Sequence, residues 1–128
     1  MKQKFILFLL LFFGISADIK LLVKFPTRSR SQQFFKQLDN YHSKLSGKTD
    51  CQFLISCDTD DKDMNNPETI KKLQSYKNLH FYFGDNKTKM EAINADVEKH
   101  LDFDILLLAS DDMTPIEQGY DLIIAKNM

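Results

Sequence analysis

The sequence predicts an α/β domain with a mainly parallel sheet and alternating helices. Short apolar runs alternate with segments of helical period, the signature of strand–helix–strand units. Polar clusters follow the ends of the runs rather than interrupting them. The chain has 128 residues, 43% of them hydrophobic, enough for one packed domain and no more.

Ile19 to Phe25 reads as the first strand, ended by Pro26, which cannot donate to a ladder. Phe34, Phe35, Leu38, Tyr41 and Leu45 form one stripe near a 3.6 period, so the first helix is expected from about Ser31 to Leu45, with Gly47 as a stop. Cys51 to Cys57 is the second strand. It is followed by an acidic loop from Asp58 to Asn66. Asn66-Pro67 is a helix start, since Asn caps and Pro fits the first turn. That second helix carries Ile70, Leu73 and Tyr76. Leu79 to Phe83 is the third strand, closed by Gly84-Asp85. A third helix carries Met90, Ile93, Val97 and Leu101. Asp104 to Ala109 is the fourth strand; its continuous apolar run predicts a central position, covered on both faces.

The N-terminus has a different composition. Lys2 and Lys4 precede the apolar run Phe5 to Ile15, and Ser16-Ala17-Asp18 follows. The run is shorter than the roughly 20 residues that span a bilayer as a helix. Residues 1–17 therefore read as a signal peptide or short hydrophobic leader, with cleavage after Ala17. An uncleaved anchor and an extra element of the domain are the alternatives. The expectation is an exported or membrane-associated protein whose domain occupies residues 18–128.

The formal net charge is −1, from 17 basic and 18 acidic side chains. That balance argues against a general nucleic-acid binder. Cys51 and Cys57 share one strand. Their separation there, about 20 Å, is far beyond the roughly 7 Å limit for disulfide Cα atoms. They read as small core residues. His42, His80 and His100 show no ligand spacing. His80 reads as a strand residue and the other two as helix-surface residues.

The carboxyl ends of the strands are where open α/β sheets bind ligands. Three polar segments fall there: Pro26 to Arg30, Asp58 to Asp63, and Ser110 to Asp112. Adjacent carboxylates such as Asp111 and Asp112 repel, and a cation relieves the repulsion. Carboxylate oxygens suit Mg²⁺ or Mn²⁺. An N-capped, solvated acidic turn accounts for the same residues. The Asp58 run is not an EF-hand loop, because Asp63 and Thr69 stand where Gly and Glu are required. Arg28 and Arg30 can fork onto phosphate oxygens, or simply open a helix on the surface. The chain has no Walker A loop and no GxGxxG.

Taken in order, KFPTRSR (24–30), SCDTDDKDM (56–64), GDNKTKMEAIN (84–94) and LLLASDDM (106–113) resemble the glycosyltransferases of the nucleotide-diphospho-sugar transferase (GT-A) fold, near the family-2 enzymes. The resemblance covers about Ile19 to the end. It implies a Rossmann-like N-terminal half, a nucleotide-diphosphate sugar as donor, and an acceptor that the sequence does not identify. Pro26, Thr27 and Arg28 look like the segment that touches the nucleotide. Asp58 looks like the acid that meets base or ribose, with Asp60 and Asp61 beside it. Lys89 and Asn94 resemble the residues bordering diphosphate and sugar. Ser110-Asp111-Asp112 looks like the DxD motif with Ser first. Asp112 is then the ligand of Mn²⁺ or Mg²⁺, and Asp111 the contact to ribose or sugar. The family's catalytic base lies well after that motif, and Glu117 and Asp121 match no such position. The expectation is therefore a domain incomplete at its C-terminus, lacking the acceptor half. A non-catalytic nucleotide-binding module of the same fold is the second reading.

Overall fold

The computed structural model describes residues 19–85 and 88–127. The leader lies outside the described residues. Four strands, β1 (Lys20–Pro26), β2 (Asp50–Asp58), β3 (Leu79–Gly84) and β4 (Ile105–Leu108), form an all-parallel sheet of order β3-β2-β1-β4. The helices are α1 (Ser31–Ser43), α2 (Pro67–Gln74), α3 (Lys89–Asn94) and α4 (Tyr120–Lys126). A 3₁₀ turn at Val97–Lys99 follows α3. No helix among the described residues is long and apolar enough to cross a membrane.

Side chains alternate between the two faces along each strand. Leu21, Val23 and Phe25 of β1 join Phe53 and Ile55 of β2 in the main core, closed by α1, α2 and α4. Its centre is a chain of edge-to-face rings: Phe25 on Phe34 at 5.0 Å, Phe25 on Tyr41 at 5.7 Å, and Tyr41 on Tyr120 at 5.6 Å. The opposite face carries Leu22, Lys24, Leu54 and Ser56, all buried. There α3 lies over β1 and β2. Cys51 and Cys57 are free and buried, and burial pushes both thiols up to about 12.

Helix starts follow local chemistry. Asn66 caps α2 by accepting from the Thr69 N–H at 2.9 Å, with Pro67 in the first turn. The first residue before α1 supplies no such cap. Instead Asp63, from the loop after β2, accepts from the Ser31 N–H at 2.7 Å and the Ser31 hydroxyl at 2.9 Å. A carboxylate at a helix N-terminus satisfies orphan donors and suits the helix dipole. Gly47 takes the left-handed conformation, φ 76°, after α1 ends.

Three expectations are corrected. β4 is an edge strand, not a central one: it pairs only with β1, and Leu106 and Leu108 on its outer face are each 44% exposed. The strands buried on both faces are β1 and β2. The third helix ends at Asn94 rather than reaching Leu101. Ala95 is extended, Asp96 turns left-handed at φ 68°, and Leu101 is exposed. His42 and His100 are not simple surface residues. His42 stacks on Phe53 with ring centres 4.6 Å apart, and burial lowers its pKa. His100 hydrogen-bonds Tyr82 at 2.7 Å and tilts against His80 at 4.4 Å.

Asp121 of α4 ties the last helix to the loop after α1. Its carboxylate accepts from the Ser46 N–H at 2.9 Å, the Ser46 hydroxyl at 2.8 Å and the Thr49 hydroxyl at 2.5 Å. Burial raises its pKa, but hydrogen bonds from Thr49 and Ser46 outweigh that and hold it below the usual carboxylate value. A carboxylate whose pKa falls on folding adds stability above its unfolded pKa and loses it as pH drops through the folded value. Asp121→Ala should therefore cost about 2–3 kcal/mol in urea unfolding at pH 7, and flatten the loss of stability between pH 5 and 3. Equal midpoints for variant and parent at pH 7 would show that this clamp carries no stability.

Candidate functional site

The strand order reverses at β1. The chain steps from β1 to β2 to β3 in one direction, then crosses back to place β4 on the other side of β1. A crevice at such a reversal, outside the carboxyl ends, is where α/β sheets hold ligands. A cleft of about 1000 Å³ occupies that position. Its floor is the segment Pro26 to Arg30. One side is Asp58 and Asp60 after β2, the other is Ser110 to Asp112 after β4, and α3 with its approach forms a wall through Asp85, Thr88, Lys89 and Ala92.

The loop after β1 sits between the loops of both neighbouring strands and sends one arginine to each. Arg28 reaches Asp58 at 2.5 Å and Asp60 at 2.8 Å. Arg30 reaches Asp112 at 3.1 Å and Asp111 at 3.5 Å. Ser29 between them is left-handed, φ 57°. Asp61 holds that turn, accepting from the Ser29 N–H at 2.6 Å. Asp61 is therefore a buried structural anchor and Asp63 a helix cap, while Asp58 and Asp60 face the cleft.

The cleft is charged and unbalanced. Asp58, Asp60, Asp85, Asp111 and Asp112 face Arg28, Arg30 and Lys89, a surplus of two formal negative charges. Asp111 is 9% exposed. Burial raises its pKa, Arg30 pulls it down, and the neighbouring Asp112 pushes it up again. Hydrogen bonding to Arg28 lowers the Asp60 carboxyl and raises the Arg28 guanidinium above its ordinary value. The Thr27 hydroxyl is buried and has no hydrogen-bond partner among the described residues. An orphaned buried hydroxyl is a group that needs a partner.

Among the described residues, no three His, Cys, Asp or Glu side chains are grouped to hold a metal ion. The described side chains thus do not make a closed metal cage. Asp111 and Asp112 instead fit a hard divalent cation bound through one or two carboxylates, with phosphate oxygens and water filling the rest of its shell. Arg30 already places positive charge against both carboxylates.

Of the residues singled out from sequence, Pro26, Thr27, Arg28, Asp58, Lys89, Asp111 and Asp112 line this cleft. Asn94 does not; it is exposed at the far end of α3. Arg30, read from sequence as able to fork onto phosphate, and Asp60, read as a neighbour of Asp58, line it too, as do Asp85 and Thr88, which the sequence reading did not single out as contacts. The one signal for Arg30 was the alternation in Thr27-Arg28-Ser29-Arg30, which points two arginines apart only if the intervening residue breaks the strand geometry. Glu117 and Asp121 stay outside the cleft. Against known proteins, no family model, curated protein or solved structure matches the chain.

Proposed function

We propose that this domain binds a nucleotide-diphosphate sugar in the cleft above β1 and β4, with Mg²⁺ or Mn²⁺ at Asp111 and Asp112, as the donor half of a glycosyltransferase. The observation that carries this reading is the meeting of the Asp58 and Asp112 loops in one cavity, floored by two arginines and an orphaned threonine hydroxyl. The surplus of two negative charges suits one divalent cation, and the arginines and Lys89 suit the diphosphate. Asp58 lines the cleft, where its carboxylate can accept from ribose hydroxyls or base N–H groups. A bound divalent cation neutralises the charge that develops on the diphosphate as the sugar bond breaks. Arg30 is itself more than half exposed, and its shorter ion pair, with the exposed Asp112, is weak. It is free to trade its carboxylates for phosphate oxygens when a cation enters. A leader of the kind expected at residues 1–17 would direct this domain to or across a membrane.

A second reading rests on the acids outside the cleft. An inverting transfer needs a base at the acceptor hydroxyl. Asp121 is committed to Ser46 and Thr49, and Glu117 lies outside the cleft. The described residues therefore support donor binding more strongly than transfer, and the alternative is a nucleotide-binding module without the reaction.

Calorimetric titration with uridine and guanosine diphosphates, with and without Mn²⁺, tests the reading. Binding that tightens with Mn²⁺ is expected; no heat with either nucleotide under either condition would sink it. Asp112→Ala should abolish the Mn²⁺ enhancement and leave the thermal midpoint unchanged, whereas a persisting enhancement would remove Asp112 from the metal site. Asp58→Ala should weaken binding even without metal. Thr27→Val gives opposite signs on two measurements. Removing an unsatisfied hydroxyl should stabilise the ligand-free protein by about 1 kcal/mol and weaken nucleotide binding about tenfold. A fall in both would mean the hydroxyl serves the fold alone.

A further inference from the structure

Lys24 is fully buried in the middle of the sheet, on the face away from the aromatic core, and the binding scheme above does not use it. Its ammonium donates to the Ser56 hydroxyl of β2. Ser56 in turn donates to Asp96 Oδ2 at 2.8 Å. Asp96 sits at the left-handed turn that ends the α3 segment, and its other oxygen accepts from Lys99 at 2.9 Å. The same Ser56 oxygen lies 3.3 Å from the Ala95 carbonyl.

This chain of groups ties the α3 segment to the sheet. The helix has six residues, and none of them is buried. It still forms the cleft wall that carries Thr88, Lys89 and Ala92, and Lys89 lowers the pKa of Asp111 across the gap. The segment is anchored just past its C-terminus, where Asp96 meets the sheet through Ser56.

We propose that Lys24, Ser56 and Asp96 form a buried positioning relay that fixes the α3 wall, and with it Lys89, opposite Asp111 and Asp112; the part concerning Lys89 rests on the diphosphate reading of the cleft. Lys24 supplies a positive charge that draws the Asp96 carboxylate onto the sheet through a shared hydroxyl. The left-handed backbone at Asp96 is tolerated because its side chain is held at both oxygens.

The charge on Lys24 makes the relay pH-sensitive. Burial pushes the ammonium down to about 8, against the pull of Asp96, then Cys57, then Glu98. The other groups close by are Lys99, which pairs with Asp96 and lies over the Tyr82 ring, and His100, which hydrogen-bonds Tyr82. Leu108 of β4, beside Lys24 in the ladder, carries no charge. Above pH 8 the amine is neutral, and the attraction for Asp96 is lost.

Two measurements on the full chain test the relay. Amide hydrogen exchange of the ligand-free protein at pH 7 compares the parent with Lys24→Met, Ser56→Ala and Asp96→Asn. Residues 88–99 should exchange about tenfold faster in each variant, while β1 and β2 keep their protection. That protection also reports whether each variant folds, and Asp96→Asn, which tolerates the left-handed turn, carries the test if Lys24→Met does not fold. The second measurement is the affinity for uridine diphosphate with Mg²⁺ from pH 6.5 to 9. The parent should lose affinity above about pH 8, and Lys24→Met should bind about tenfold more weakly with no such decline. Unchanged exchange over residues 88–99 in folded variants overturns the relay. Faster exchange in a protein whose parent form binds no nucleotide leaves the relay standing and removes the diphosphate reading instead. Faster exchange with unaltered affinity and pH profile overturns the link to Lys89.

Discussion

The structure depends on β1 being paired on both sides. Its ladder with β2 runs from Lys20↔Asp50 to Pro26↔Ser56, and its ladder with β4 from Leu21↔Ile105 to Lys24↔Leu108. A strand in that position must be buried on both faces, and residues 21–25 are. The loop that leaves it emerges between two other loops, so its side chains have partners to either side. Arg28 and Arg30 each neutralise a different acidic loop. The reversal of strand order at β1 thus creates the crevice and supplies the cations that keep two acidic loops from repelling each other across it.

That charge balance sets the character of the cleft. Arg28, Arg30, Asp60 and Asp112 are more than half exposed, so their pairing in water contributes little. Asp58 and Asp111 are the desolvated members of each pair. Removing an arginine therefore costs more through the buried acid left behind than through the lost contact.

Most of the sheet was legible in the sequence, because strand-forming apolar runs and helix caps are local signals. Asn66-Pro67 is enough to start α2, and the Phe34-to-Tyr41 stripe is enough to orient α1. Strand order is not local. The apolar run Ile105–Leu108 fits a central strand as well as an edge strand, and pairing with β1 alone decides it. The third helix failed for a related reason. Met90, Ile93 and Val97 keep a helical spacing, but the tie from Asp96 to Ser56 turns the chain before Val97. The acidic loop was read as one cluster, yet Asp61 and Asp63 turn inward to hold Ser29 and Ser31 while Asp58 and Asp60 face out. Four aspartates close in sequence carry no local mark that separates an anchor from a ligand contact. Their roles come from the loop after β1, about 30 residues away in the chain.

The two sides of the cleft differ in stiffness. The floor grows from a strand buried on both faces, while the α3 wall has no buried residue of its own. A ligand that touches only the floor meets a preformed surface. One that bridges to Lys89 must also still the wall, and the entropy of doing so subtracts from its affinity. Molecules long enough to reach both sides would then differ from shorter fragments chiefly in how slowly they leave.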